Sequence, residues 1–165
     1  FTDALYGSID FDKIDKYLKM KYPFVSSEMY GAPIANGKSY LVGNSEEECI
    51  KVDVFYTSDP FIQEPLVVDG IRLATIDEII AMKMDVVSRQ GRKKDFWDLH
   101  EFLDGYSIER MIELHKEQHE FTHDEIELRQ NFINFDKADV DLDPICLKNK
   151  DWEAIKLDLI DFATS

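Results

Sequence analysis

Residues 66–103 read LVVDGIRLATIDEIIAMKMDVVSRQGRKKDFWDLHEFL, and within this stretch the pattern changes from extended to helical. Asp69-Gly70 separates two short apolar runs, which is the strongest short-range signal for a β-hairpin. Thr75 and Glu78 have the spacing of a capping box, in which both side chains bond backbone amides at the start of a helix. Because glycine commonly follows the end of a helix, Gly91 is predicted to stop this one.

The residues before the hairpin predict one helix and two strands. Ser8 or Asp10 is placed to cap a helix that Pro23 ends, and the apolar residues between them recur at helical spacing. A short strand is predicted around Tyr40, and a clearer one over residues 49–56. Side chains of the clearer strand alternate between two faces, one carrying Ile50, Val52 and Val54 and the other Lys51, Asp53 and Phe55.

The residues after the hairpin predict helices. Beyond the helix that Thr75 caps, helices are expected from about Lys93 to before Gly105, from Ser107, and after a second capping box at Thr122 to Glu125. An acidic loop is expected over residues 136–144. A last amphipathic helix carries Trp152, Ile155, Leu159 and Phe162. A small sheet followed by helices predicts an α+β fold, with a sheet part in residues 1–74 and a helical part in residues 75–165.

The composition excludes some classes of protein. The 165-residue chain has 19 basic and 34 acidic residues and a net charge of −15. A protein that coats nucleic acid is therefore not expected, because the phosphate backbone would repel it. No apolar run approaches the roughly 20 residues that a membrane-spanning helix needs. We therefore expect no membrane partner. Cys49 and Cys146 match no metal or redox spacing, so a reducing cytoplasm is the expected compartment.

One short segment is basic although the chain is acidic. Residues 83–94 contain a single acid, Asp85, and five basic residues: Lys83, Arg89, Arg92, Lys93 and Lys94. A local basic patch suits a small phosphorylated ligand or a localised RNA contact. A solvated turn between two helices explains the charge equally well.

Three ionisable residues fall on helix faces that are otherwise apolar. At about 100° per residue, Lys83 lies in the middle of an apolar stripe. The stripe consists of Ile76, Ile79, Ile80, Val86 and Val87. On the next helix Asp95 lies between Leu99 and Phe102, and Asp98 borders the same face. An unpaired buried ammonium is very costly, so Lys83 is expected to reach solvent or to meet an anion.

Asp53 interrupts a β-branched strand, and with Lys83 and Asp95 it forms a candidate site for a metal ion and phosphate. The structural alternative is that Lys83 and Asp95 neutralise each other as a buried pair that orients two helices. In that alternative Asp53 faces water on an uncovered side of the sheet. The pattern alone favours the structural alternative.

Two further groups of residues resemble metal sites. Asp139, Asp141 and Asp143 have the spacing of a calcium loop, but Pro144 stands where glycine is needed. His115 and His119 are one helical turn apart and His123 follows, so a zinc-dependent hydrolase is a minor alternative. No carboxylate–histidine motif accompanies these histidines.

The ordered series of motifs resembles the AbiEii/AbiGii family of bacterial nucleotidyltransferase toxins. The motifs are IKVDV at 50–54, DGIRLA at 69–74, EIIAMK at 78–83, Arg89, and KDFWDL at 94–99. The stretch from Asn134 to Pro144, followed by Trp152 and Lys156, is similar to the tail of bacterial members. The resemblance covers nearly the whole chain, and the combination is specific although each motif alone is common.

The resemblance implies a nucleotidyltransferase core with a small mixed sheet in residues 1–74. It implies that Asp53 is the third of three metal-binding aspartates and that Lys83 contacts nucleotide phosphate. Asp95 and Asp98 match another family motif, and Arg89 matches a basic position, so all three are candidate nucleotide-binding residues. The implied cofactor is Mg²⁺ and the implied substrate an NTP. The implied acceptor is a tRNA 3′ end or a protein hydroxyl, and the implied partner of such a toxin is a cognate antitoxin.

The chain departs from the family pattern at its start. Members carry a Gly-Gly turn and an Asp-x-Asp pair before a segment that Phe1-Thr2-Asp3 matches, so those motifs would lie upstream of residue 1. Asp10 and Asp12 do not replace them, because acids there favour a helix start. We therefore expect the chain as given to lack a complete two-metal site and to be inactive. An inactive interaction module with the same fold is the alternative function.

Overall fold

The computed structural model describes residues 9–27, 37–57, 59–122 and 124–164. These residues form two compact units that divide between residues 58 and 59. We call them the sheet unit, which precedes the division, and the helical unit, which follows it. Small antiparallel sheets combined with helices agree with the predicted α+β class.

The sheet unit contains one helix and three strands. They are α1 (Phe11–Lys21), β1 (Phe24–Ser26), β2 (Gly37–Gly43) and β3 (Cys49–Phe55). The strands are antiparallel in the order β1-β2-β3. Asp10 caps α1 by accepting the backbone amide of Lys13 at 2.9 Å. The other predicted cap, Ser8, lies outside the described residues.

Asp15 links α1 to strand β2. Its carboxylate accepts hydrogen bonds from the Lys38 ammonium at 2.8 Å and from the Tyr40 hydroxyl at 2.7 Å. Tyr40 is fully buried. Burial and the hydrogen bond to Asp15 raise the pKa of the Tyr40 hydroxyl well above its usual value. The packing of α1 on the sheet therefore depends on a polar contact at its centre.

The helical unit begins with a β-hairpin and continues as helices. Its strands are β4 (Leu66–Val68) and β5 (Ile71–Leu73). Its helices are α2 (Ile76–Ser88), α3 (Lys93–His100), α4 (Ile108–Gln118), α5 (Glu125–Phe132), α6 (Asp136–Asp139) and α7 (Trp152–Thr164). Asp69 and Gly70 both have positive φ, at 50° and 76°, as the tight hairpin turn requires.

The predicted boundary lies after residue 74, whereas the units divide before residue 59. Residues 59–74 therefore belong to the helical unit. Hydrogen bonds explain why this segment belongs with the helices. Ile62 donates its backbone amide to the carboxylate of Glu78 at 3.0 Å, and Gln118 donates to the carbonyl oxygen of Pro60 at 3.4 Å. The segment that leads into the hairpin is thus tied to α2 and α4.

Three local predictions need correction. Asp124 caps α5, so this helix begins later than the capping box at Thr122 predicted. The predicted acidic loop contains the short helix α6. Helix α2 ends at Ser88, and Gln90 rather than Gly91 has positive φ, at 61°. Gly91 is instead needed for close approach, because a Cβ atom there would lie 3.1–3.4 Å from atoms of Val87 and Asp95.

The core of the helical unit lies among α2, α3, α4, α5 and α7. An aromatic cluster closes one end of it. Phe96 packs edge-on against Phe135 with ring centroids 5.1 Å apart, and Trp97 stacks on Trp152 at 5.6 Å. Burying one such ring stabilises the fold by about 1.5–3 kcal/mol. None of the helices in the described parts of the chain is long and apolar enough to cross a membrane.

Candidate functional site

Lys83 lies between two carboxylates of the neighbouring helix. Its ammonium nitrogen, on α2, is 2.7 Å from Asp95 Oδ1 and 2.6 Å from Asp98 Oδ2, both on α3. The second oxygen of Asp95 accepts the backbone amide of Arg92 at 3.0 Å. Asp95 therefore caps the start of α3 and holds Lys83 with the same carboxylate. We call these three residues the lysine–aspartate cluster.

The three side chains of the cluster differ in how far they are exposed to solvent. The exposed fraction of the side chain is 6% for Asp95, 23% for Lys83 and 51% for Asp98. Burial by itself lowers the pKa of Lys83, but hydrogen bonds from its ammonium to both aspartates outweigh that effect and raise this pKa above its usual value. Two of the three ammonium hydrogens are directed at carboxylates, which leaves one for a ligand oxygen.

Lys83 stands at the edge of the buried face of α2 rather than in its middle. Ile80 and Val87 are buried as predicted, but Ile76 and Val86 are exposed. The other apolar side chains that α2 buries are Ala81 and Met84. The buried face is rotated because α2 packs against α3, α4 and α5 together. The predicted stripe was therefore misplaced, while the expectation that Lys83 meets an anion is confirmed.

Arg89 lies beside a shallow groove that is lined in part by the basic segment 83–94 identified in the sequence. The groove has a volume of about 390 Å³ and includes four basic residues in its lining: Arg89, Arg92, Lys94 and Lys137. We call it the basic groove. Asp95 also lines it, so the groove adjoins the lysine–aspartate cluster. Arg89 is 64% exposed and bonds Asp85, one turn earlier on α2. Lys137 comes from α6, and no local pattern could have assigned it to this surface.

Asp53 lies in the sheet unit, on β3. Its carboxylate accepts a hydrogen bond from the hydroxyl of Ser39, its partner in the β2–β3 register, and lies 2.9 Å from the Lys51 ammonium. The side chain is 46% exposed. It borders a groove of about 360 Å³ with Gly37, Lys38 and Phe55. Asp53 and the lysine–aspartate cluster belong to different units, so their convergence at one site stays a prediction.

Of the carboxylates that the predicted magnesium site requires, the described residues offer Asp53. Carboxylate oxygens are the ligands that Mg²⁺ prefers, and Asp53 offers one accessible carboxylate. Its ion pair with Lys51 is exposed and worth at most about 1 kcal/mol, so a divalent cation could replace the lysine. No group of three or more metal-ligating side chains occurs in the parts of the chain that the structure describes.

His115 of α4 packs against His119, the residue that follows this helix. The rings of His115 and His119 are 5.1 Å apart, and His115 is fully buried, with Nε2 3.7 Å from a carboxylate oxygen of Asp85. Burial, together with weaker repulsion from His115 and Arg89, lowers the pKa of His119 despite attraction from nearby aspartates. These contacts give the pair a structural role at the α2–α4 contact. The third histidine, His123, lies outside the described residues.

Comparisons with known proteins give one family and two solved structures. The profile of the family described as "Nucleotidyl transferase AbiEii toxin, Type IV TA system" matches residues 10–165. No curated protein matches the sequence. A candidate nucleotidyltransferase from Helicobacter pylori has 22% identity and a TM-score of 0.50, over 86% of this chain and 64% of that one.

A second crystal structure, that of JHP933 from Helicobacter pylori, has 21% identity and a TM-score of 0.49, over 86% of this chain and 62% of that one. The chain thus spans less than two thirds of the length of each solved structure. At 22% identity, the first likeness shows a shared fold.

Proposed function

The chain belongs to the AbiEii family of nucleotidyltransferase toxins of type IV toxin–antitoxin systems, and we propose that the intact protein transfers a nucleotide from an NTP to a hydroxyl acceptor. The observation that carries this proposal is the family match over residues 10–165, which includes every motif of the candidate site. The acceptor is an RNA 3′ end, as in tRNA, or a protein hydroxyl. The proposed partner is a cognate antitoxin, and the proposed compartment is the cytoplasm.

Contacts within the helical unit support the proposal. The two family motifs that contain Lys83 and Asp95 are separate in sequence, yet their side chains meet at 2.7 Å. Lys83 is held by two carboxylates and keeps one hydrogen for an oxygen of the substrate. In this role it would offset charge that builds on the transferred phosphate. Asp95 and Asp98 are positioning residues for Lys83, and Arg89 adds positive charge nearby.

Asp53 is proposed as the metal-binding residue of the sheet unit. Bound Mg²⁺ would stabilise negative charge on the attacking and leaving oxygens. Ser39 fixes the orientation of the Asp53 carboxylate by donating a hydrogen bond to one oxygen. The other oxygen faces the exposed Lys51, which is easily displaced. The remaining carboxylates of a two-metal site would come from outside the described residues.

The test is nucleotide transfer by a version extended at its N-terminus, measured with labelled NTPs and with RNA and protein acceptors. Asp53→Ala is expected to reduce transfer at least about 100-fold, because a metal-binding carboxylate is lost. Glu46→Ala, which removes an exposed acid of the same unit, is the matched control and should leave transfer unchanged. Equal transfer by both variants would remove Asp53 from the metal site.

The second candidate is a catalytically inactive interaction module, and the ion pairs of Lys83 with Asp95 and Asp98 support it. The lysine–aspartate cluster joins α2 to α3 through two ion pairs, which is sufficient for a structural role. This candidate predicts no transfer by the extended version with any NTP. It also predicts that Lys83→Gln changes stability and nothing else.

A further inference from the structure

The basic groove is unusual because most cations elsewhere in the described residues are bonded to acids. Lys38, Lys93 and Lys156 each lie within 3 Å of an aspartate, at distances of 2.8, 2.7 and 2.9 Å. Such pairing is expected in a chain with 34 acidic and 19 basic residues. The cations of the groove are arranged differently.

Within the described residues, the side chains of Arg92, Lys94 and Lys137 form no ion pair and no hydrogen bond, and all three are exposed. They come from two separate segments, the start of α3 and helix α6, and converge on one groove of about 390 Å³. Three positive charges that share one groove repel one another, and the one acid of the groove, Asp95, is already paired with Lys83. The groove therefore favours a ligand that neutralises these charges.

We infer that the basic groove binds phosphate groups, supplied by an RNA strand or by the triphosphate of a nucleotide. Arginine presents a planar fork that matches two phosphate oxygens, and lysines add point charges beside it. The negative charge of the rest of the chain repels such ligands, so binding is confined to this surface. The inference deepens the proposed function, because it names the residues that hold a phosphorylated substrate beside Lys83.

The groove adjoins the lysine–aspartate cluster through Asp95, which lines the groove and also holds Lys83. A strand bound along Arg92, Lys94 and Lys137 would therefore run toward the residue proposed to contact the transferred phosphate. The three basic residues are positioning residues for the substrate. Lys94 belongs to the family motif KDFWDL, whereas Arg92 precedes that motif and Lys137 lies in helix α6.

The test measures binding by the chain itself, without any transfer reaction. One probe is a fluorescent single-stranded RNA of about 12 nucleotides, which is a length that a small site covers. The other probe is ATP with Mg²⁺. The variant Arg92→Gln/Lys94→Gln/Lys137→Gln is compared with Lys16→Gln/Lys19→Gln/Lys21→Gln. The control removes the same number of exposed positive charges from α1, and circular dichroism checks the fold of both.

The groove variant should bind one of the probes at least about tenfold more weakly, and the control should bind like the wild type. If RNA is the source of the phosphate, the negative slope of log K against log salt should become less steep by about 2, because each of the three lost contacts contributes about 0.7. Loss of ATP binding alone assigns the groove to the nucleotide. Equal binding of both probes by both variants overturns the inference, as does displacement of RNA by polyglutamate at the same charge concentration.

These outcomes are independent of the proposed reaction. If the groove variant loses binding but the extended version transfers no nucleotide, the inference about the groove stands and the proposed enzymatic activity is rejected. If transfer depends on Asp53 but the groove variant binds both probes normally, the proposed activity stands and the inference about the groove is rejected.

Discussion

The ammonium nitrogen of Lys83 lies 2.7 Å from Asp95 Oδ1, and the second oxygen of Asp95 accepts the backbone amide of Arg92. One buried carboxylate thus performs two tasks, since it neutralises a lysine of α2 and caps α3. Asp98 contacts the same lysine at 2.6 Å but is half-exposed. The two aspartates contact the same lysine and carry the same charge, but only Asp95 is buried. A comparison of their variants therefore measures how burial changes the contribution of an ion pair to stability.

We expect Asp95→Ala to lower the free energy of unfolding by about 2–4 kcal/mol, because Lys83 loses its buried acceptor and the Arg92 amide loses its cap. Asp98→Ala should cost less than about 1 kcal/mol, since an exposed pair is screened by water. Urea denaturation of the two variants checks the difference. Equal losses would mean that burial does not govern the strength of these contacts.

Glu78 provides a second prediction, because its buried carboxylate accepts the Ile62 amide and the side-chain amide of Gln118. Glu78→Ala should lower the free energy of unfolding by about 2–4 kcal/mol, because the buried Gln118 and the half-buried Ile62 amide both lose this acceptor. It should also speed proteolysis near Ile62. Glu64→Ala, at an exposed position close by, is the control and should do neither. Identical behaviour of the two variants would contradict this role.

Acid sensitivity gives a third prediction. Hydrogen bonds from Lys148 and Lys150 lower the pKa of Glu101 to about 2, from the usual 4.5. A depressed carboxylate pKa contributes stability that is present above pH 4.5 and is lost as the pH falls toward 2. Glu101→Gln should therefore be less stable than the wild type at pH 7, by about 1 kcal/mol or less.

The difference between Glu101→Gln and the wild type should shrink as the pH falls from 4.5 and should vanish below about pH 2. Thermal unfolding at several pH values measures it. A constant difference across this range would show that Glu101 is not the group that titrates.

Several elements were predictable from short stretches of sequence. The turn at Asp69-Gly70, the cap at Ser107 and the last helix at Trp152 all occur as expected. Each depends on residues within one or two turns of one another, so local conformational preferences are sufficient. The start of α5 was misplaced because Thr122 and Asp124 are both good caps, and the aspartate bonds the amide of Glu127.

The candidate site was only partly predictable. The sequence identified Lys83, Asp95 and Asp98 as charges on apolar faces, and the structure brings these three together. It did not reveal Lys137, because nothing near this residue marks it as functional. Whether Asp53 joins the site stays a prediction, since it lies in the other compact unit.

By itself, the sequence determined the α+β class, the family and the residues whose charge conflicts with their apolar surroundings. These properties follow from composition, from periodicity and from motif order, which do not require knowledge of distant contacts. Only the tertiary structure decided that Asp98 holds Lys83 together with Asp95, and which cations share a groove. The packing of whole helices determines which charged side chains become neighbours. The free energy of burial that drives this packing is summed over many side chains, so no short segment of sequence predicts it.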